Sequence, residues 1–267
     1  MDAITGKRLF LLDMDGTLYL GNRLFERTPE FLEKVKKNGG RYVFVTNNSS
    51  KSAAAYVQKL AGLGIAAAED EFFTSTEATG LYIKRQCPDV LFYVLGTASF
   101  VRQLTDAGVR LTEDAHAPGI GGVLLSNDTE LTFGKLYAAS ELLTAGVPVY
   151  LATNPDPVCP TEFGYVPDCG SFADALERAT GRRPYFIGKP RPDMLTIAME
   201  KYGCKREECL MVGDRLYTDI AAGVNAGMDT VFVLSGEGTL ENLKTSDVRP
   251  TYVMRDVGEL CDRLRFV

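Results

Sequence analysis

The sequence predicts an α/β protein: a doubly wound parallel-sheet core assembled from both chain ends, with a second α/β domain inserted between them. Short apolar runs alternate with helical patterns along the whole chain, the signature of βα units around a parallel sheet. At 267 residues the chain exceeds the usual length of one domain. Its middle section also carries its own complement of strands and helices.

Taken in order, Arg8 to Leu12 reads as a strand buried on both faces, because its apolar residues are continuous and do not alternate. After an aspartate-rich loop, Thr28 suits the N-cap of a helix, Pro29 its first position, and Gly39-Gly40 its end. Tyr42 to Val45 is the next strand. It stops at Thr46-Asn47-Asn48-Ser49-Ser50, and a helix follows from Ser52 to Leu63. The middle section supplies strands at Leu91 to Leu95, Gly122 to Ser126 and Val147 to Ala152. The C-terminal third supplies Tyr185 to Ile187, Cys209 to Val212 and Thr230 to Val233, with a helix after each. The expected division is therefore 1–77 with 184–267 for the core and 78–183 for the inserted domain, which is of common domain size. No internal repeat or low-complexity tract interrupts this plan.

Composition excludes several classes of function. Apolar residues make up 45% and charged residues 24%, values of an ordinary globular chain. The net charge of -6 comes without a concentrated basic face, which argues against a nucleic-acid partner and for a small molecule. Only four apolar residues follow Arg8 before Asp13 interrupts, too few for a signal peptide or a membrane span, so a cytoplasmic location is expected. Cys87, Cys159, Cys169, Cys204, Cys209 and Cys261 show no CxxC spacing and read as reduced thiols, with no zinc site. The single histidine, His116, falls in a loop-like run, which disfavours any mechanism built on a catalytic histidine.

Four segments carry chemistry, and each lies where a predicted strand ends, the rim at which open α/β sheets bind ligands. Asp13-Met14-Asp15-Gly16-Thr17 places two carboxylates two residues apart with a glycine for a tight turn. It reads as an Asp-Gly turn, or as a nucleophile (Asp13) beside a proton carrier (Asp15). A calcium loop also starts this way, but Leu24 stands where its closing glutamate belongs. Thr46, Asn47 and Asn48 offer hydroxyl and amide donors ahead of a helix N-terminus, either as a polar capped loop or as an anion site. Lys189, set between Gly188 and Pro190, is either a solvated lysine or the charge that neutralises phosphate and Asp13 together. Asp214 ends a strand and Asp219 lies about a turn into the next helix, where it also complements the helix dipole. If Asp13, Asp15, Asp214 and Asp219 meet at one rim, each close pair at about 4 Å repels by roughly 4 kcal/mol at an effective dielectric near 20. Such a cluster needs a cation, and its hard oxygen donors suit Mg²⁺.

In this order the four segments resemble the motifs of the haloacid dehalogenase superfamily of phosphohydrolases, and the likeness covers essentially the whole chain. The resemblance implies a Rossmann-like core with an inserted α/β cap. It implies that Asp13 forms an aspartyl-phosphate, and that Asp15 protonates the leaving alcohol and then activates water. Mg²⁺ would be held by Asp13, the Asp15 carbonyl and Asp214 with support from Asp219, and phosphate by Thr46, Asn47 and Lys189, with Asn48 beside them. The middle section resembles the cap of the NagD-like branch, in which Thr153-Asn154-Pro155-Asp156 and Pro167-Asp168-Cys169-Gly170-Ser171 have counterparts. Asn154, Asp156 and Cys159 are thus candidate substrate contacts. Cys159 stands where the mammalian pyridoxal phosphatases of this branch have a histidine, which puts pyridoxal phosphate in doubt.

The implied activity is hydrolysis of a small phosphorylated metabolite by a Mg²⁺-dependent phosphatase, with a homodimer through the cap as a further implication. A phosphotransferase or phosphomutase shares the chemistry, and a non-catalytic phospholigand-binding protein shares the fold. Dehalogenation is disfavoured because Asp15, the second acid, is present.

Overall fold

The structure is a computed structural model, and it describes residues 4–161 and 163–265. The chain divides into two compact units: Met1–Thr46 with Ala53–Phe73 and Lys189–Val267, and Asn47–Ser52 with Thr74–Gly188.

The chain begins with β1 (Leu9–Leu12), a small hairpin of β2 (Tyr19–Leu20) and β3 (Arg23–Leu24), α1 (Thr28–Lys37), β4 (Arg41–Thr46), α2 (Ala53–Gly62) and β5 (Phe72–Thr74). There follow α3 (Ser75–Gln86), β6 (Leu91–Leu95), α4 (Ala98–Asp106), β7 (Leu111–Thr112), β8 (Ile120–Leu125), α5 (Phe133–Thr144) and β9 (Val149–Ala152). Next come β10 (Val158–Thr161), β11 (Gly164–Pro167), α6 (Cys169–Thr180) and β12 (Tyr185–Phe186). The chain closes with α7 (Asp193–Lys201), β13 (Cys209–Gly213), α8 (Ala221–Asn225), β14 (Asp229–Val233), α9 (Leu240–Thr245), β15 (Tyr252–Met254) and α10 (Val257–Arg263).

In the first unit, six strands form a sheet in the order β15-β14-β13-β1-β4-β5. The pairings of β1 with β4 and β13, of β13 with β14, and of β14 with β15 are parallel. Every side chain of β1 is fully buried, as a central strand covered on both faces requires. Phe10 packs edge-on against Phe31 of α1, ring centroids 6.0 Å apart. The chain leaves β1 for β4 on one side and later for β13 on the other. That reversal makes the carboxyl ends of β1 and β13 a topological switch point, where a ligand crevice is expected. In register Leu12 lies opposite Val212, so Asp13 emerges beside the end of β13.

The start of α1 departs from the sequence reading. Its N-cap is Arg27, without a side-chain cap, and Thr28 is already helical. The reason is tertiary: the buried Thr28 hydroxyl donates to the Leu18 carbonyl (2.8 Å), so it does not cap its own helix. Arg27 instead ties α1 to α10 through two 2.8 Å hydrogen bonds to the Asp262 carboxylate.

The second unit has a five-stranded sheet, β12-β9-β8-β6-β7, and a separate antiparallel hairpin of β10 and β11. Its helices are capped by local chemistry: Thr74, Thr97, Thr132 and Asp168 accept backbone N–H groups at the starts of α3, α4, α5 and α6. Residues 47–52 belong to this unit through Ser49, which accepts from Asn127 N–H at 3.0 Å, and Asn47, whose carbonyl accepts from Ser75 Oγ at 2.6 Å. A second correction concerns β12. The sequence reading assigned Tyr185 to Ile187 to the core sheet, but Tyr185 and Phe186 pair in parallel with Leu151 and Ala152 of β9. Stacking of Tyr185 on Tyr82, centroids 5.8 Å apart, holds that edge strand in place.

No helix among the described residues is long and apolar enough to cross a membrane.

Candidate active site

At the carboxyl edge of the first unit's sheet, β1 delivers Asp13 and β13 delivers Asp214. Asp219 sits one turn beyond, in a short π-helical segment, Leu216–Ile220. One ligand oxygen from each of these three aspartates lies within 4.8 Å of the others. Lys189 enters the same edge. Its ammonium donates to Asp13 Oδ1 (2.8 Å), to Asp219 Oδ1 (2.6 Å) and to the Val45 carbonyl (3.2 Å).

Burial sets the electrostatics. Lys189 is 2% exposed, which by itself disfavours its charge. The carboxylates of Asp13 and Asp219 outweigh that and hold its pKa above the ordinary lysine value, so it stays protonated. Asp214 and Asp219 are both pushed up, first by burial and then by the negative charge of Asp13. Three carboxylates face the Lys189 ammonium and the nearby Arg215 guanidinium, so negative charge still exceeds positive in a desolvated place, the condition that favours a bound cation.

The donor set fits a hard divalent ion. Asp214 Oδ2 accepts from the Glu237 N–H at 2.7 Å, while Asp214 Oδ1 is buried and has no hydrogen-bond partner among the described residues. A buried acceptor left open costs about 1–3 kcal/mol unless something fills it. Gly16 is needed for this packing: its φ is +84°, and a Cβ there would lie 2.2 Å from Asp214 Oδ2.

Asp15 stands apart from the carboxylate cluster. Its side chain is 47% exposed, 3.9 Å from Lys59 of α2. Its weak contact with Gly21 N–H at 3.5 Å leaves the carboxylate loosely held. The sequence reading used the Asp15 carbonyl, not its carboxylate, as a metal ligand, so the side chain is left for proton transfer. Thr46 is the half-buried last residue of β4.

The second unit assembles the other singled-out residues into an amide–carboxylate network. Asp156 Oδ2 accepts from both Asn47 Nδ2 (2.8 Å) and Asn154 Nδ2 (2.9 Å), and Asn154 also reaches Asp168 Oδ1 at 3.3 Å. Asn154 is fully buried. Asn48 closes its own loop by accepting from the Ser50 N–H and hydroxyl, both at 2.9 Å. Cys159 is half-buried on β10 opposite Val166, with its thiol 3.9 Å from the Pro160 carbonyl. His116 is exposed, and all six cysteines are free thiols.

Two features escaped the sequence reading. Lys59, facing Asp15 and lying 4.5 Å over the Tyr19 ring, has no signal beyond being one more helical lysine. The turn Ser235-Gly236-Glu237, which contacts Asp214, did have one: it follows a predicted strand at the same rim.

Comparison with known proteins agrees with this geometry. Residues 10–110 match the haloacid dehalogenase-like hydrolase family and residues 186–260 match the HAD-hydrolase-like family. An acid sugar phosphatase of Staphylococcus aureus (strain MRSA252) is 36% identical over 252 residues, 94% of this chain and 96% of that protein. A 4-nitrophenylphosphatase from Thermotoga maritima has a similar structure, with a TM-score of 0.90 and 40% identity over 97% of this chain and 98% of its own. NagD from E. coli K-12 aligns with a TM-score of 0.87 and 29% identity over 95% of this chain and 98% of its own. The chain belongs to the haloacid dehalogenase-like hydrolases, as a phosphatase of the NagD-like kind. Phosphatases of this family generally use a divalent metal, and the cluster of Asp13, Asp214 and Asp219 offers a place for one.

Proposed function

We propose that the chain is a Mg²⁺-dependent phosphatase that hydrolyses small phosphate monoesters, sugar phosphates among them, through an aspartyl-phosphate on Asp13. The observation that carries this reading is the Asp13–Lys189 pair at 2.8 Å with Asp214 and Asp219 around it. An anionic nucleophile approaches an anionic phosphate only where positive charge is already in place.

Asp13, the Asp15 carbonyl and Asp214 would hold Mg²⁺, with Asp219 in support. When bound, the ion supplies charge neutralisation for the phosphate and for Asp13. Lys189 neutralises Asp13 through its contact with Oδ1, and Thr46, Asn47 and Asn48 are proposed as phosphate contacts. An Asp13 oxygen forms a bond to phosphorus as the ester P–O bond breaks, and the departing alkoxide takes its proton from Asp15. Asp15, now a carboxylate, takes a proton from water. The water oxygen bonds to phosphorus, releasing inorganic phosphate and restoring the Asp13 carboxylate. The exposure of Asp15 supports this role, since its carboxyl must exchange protons with a departing alcohol and an arriving water.

The second unit is proposed as a cap at residues 78–183 that selects the organic part of the substrate, with Asn154, Asp156 and Cys159 as candidate contacts. The name of the staphylococcal relative supports a sugar phosphate as substrate.

Assay of the purified protein on p-nitrophenyl phosphate tests the reading. Turnover should require Mg²⁺, stop with a chelator, and be lost in Asp13→Asn. Comparable activity in that variant would sink the covalent route. A panel of phosphate esters ranked by kcat/KM then identifies the substrate class.

A further inference from the structure

The turn that pins Asp214 is held by a side chain the reaction does not use. After β14 the chain makes Ser235-Gly236-Glu237-Gly238. Ser235 Oγ donates to the Gly16 carbonyl (2.8 Å), and the Glu237 N–H donates to Asp214 Oδ2 (2.7 Å). Gly236 is packed so closely that a Cβ on it would lie 2.0 Å from Asp214 Oδ2 and 2.6 Å from Gly16 Cα. The turn thus lies directly against both the nucleophile loop and Asp214.

Glu237 is flanked by Gly236 and Gly238, residues that lose the most conformational freedom on ordering, so the turn needs an external anchor to stay in one conformation. The Glu237 carboxylate provides it. One oxygen accepts from the Tyr217 hydroxyl at 2.9 Å, and the other lies 2.9 Å from Arg215 Nε. Arg215 and Tyr217 both follow Asp214 closely in the chain, so the side chain ties the loop after β14 to the segment after β13. The backbone N–H between those ties then takes up Asp214 Oδ2, and Asp214 Oδ1 remains the buried oxygen without a partner among the described residues.

We propose that Glu237 is a positioning residue for the cation site, acting through its own backbone N–H to fix which Asp214 oxygen is presented to a divalent ion. The inference rests on the Mg²⁺ reading above. Groups outside the ligand set that orient a ligand typically contribute tenfold to a hundredfold in metal affinity. An exposed ion pair with no such role contributes little to anything.

Calorimetric titration of the full-length protein with Mg²⁺ separates these cases, alongside thermal unfolding in the presence of a chelator. Glu237→Ala should weaken Mg²⁺ binding about tenfold or more, and half-maximal turnover should need correspondingly more Mg²⁺. Glu237→Gln keeps an acceptor for Tyr217 and should fall between Ala and wild type. Unchanged Mg²⁺ affinity in Glu237→Ala overturns the proposal. So does a fall in unfolding temperature without a change in affinity, the mark of a merely structural tie. Wild-type protein that binds no Mg²⁺ would overturn the parent reading instead, an outcome visible before any variant is made.

Discussion

Lys189 shows how a single residue is set by its surroundings. A buried ammonium is costly alone, and a buried pair of carboxylates is costlier, but together they satisfy one another. Lys189→Met should therefore leave Asp13 and Asp219 without their buried, hydrogen-bonded cation, with only Arg215 in range. The expected destabilisation is about 3–5 kcal/mol in metal-free buffer, measurable by denaturant unfolding; a change below about 1 kcal/mol would mean that the lysine is not the partner the geometry makes it. The place of Asp13 and Asp214 at strand ends was legible in the sequence, because a charged residue that closes an apolar run marks the rim of a parallel sheet; Lys189 was singled out after a strand that pairs in the other sheet, so its place at this rim was not. Nor were the mutual distances, since Asp13 and Lys189 are 176 positions apart. Thr28 was misread for a related reason: the hydroxyl that suits a cap was claimed by Leu18, a contact no local pattern displays.

At the scale of elements, the capped helices of the second unit carry a pH signature through Asp168. This carboxyl starts α6, and burial pushes its pKa up to about 6, against the hydrogen bonds from Cys169 N–H and Asn154 that pull it down. In the unfolded chain it titrates near 3.8. Between those values the folded protein keeps a proton that the unfolded chain releases, so stability falls as pH rises from about 4 to about 6, by at most about 3 kcal/mol. Asparagine also caps helices and does not ionise. Unfolding temperatures measured from pH 4 to pH 7 in a chelator should therefore decline less in Asp168→Asn than in wild type; parallel curves would remove Asp168 as the source. Most long elements were legible, because β1, β4, β6, β8, β9, β13 and β14 are apolar runs bounded by turn residues. The short ones were not. β5, β7, β15 and the β2–β3 hairpin are two or three residues long, too few to show a period, and β10 and β11 are mostly exposed, with a proline in each and no apolar run. The two-residue β12 was seen as a strand but assigned to the wrong sheet, since a strand's partner is a tertiary fact.

At the scale of the molecule, the first unit is assembled from three stretches of chain, and its site draws on the first and the last. A cation bound there should couple to folding of the whole unit. At Mg²⁺ about a hundredfold above its dissociation constant, the gain is about 2.7 kcal/mol, seen as a rise in unfolding temperature. Replacing Asp214 by Asn should abolish that rise; a rise that survives the substitution would locate the ion elsewhere. Composition and charge pointed to a small-molecule partner, in keeping with the phosphatase relatives, while the substrate stayed illegible because Asn154, Asp156 and Cys159 spell no code.

Trapping the phosphorylated protein tests the covalent role of Asp13. In Asp15→Asn, p-nitrophenolate leaves without needing a proton, but the water that should release the phosphoryl group has lost its base. Mixing this variant with p-nitrophenyl phosphate and Mg²⁺, quenching in acid and mapping peptides by mass spectrometry should reveal a phosphoryl group on Asp13 that accumulates as one equivalent of p-nitrophenol is released. Release of p-nitrophenol with no phosphoryl group on the protein, or with the group on another residue, would contradict the account.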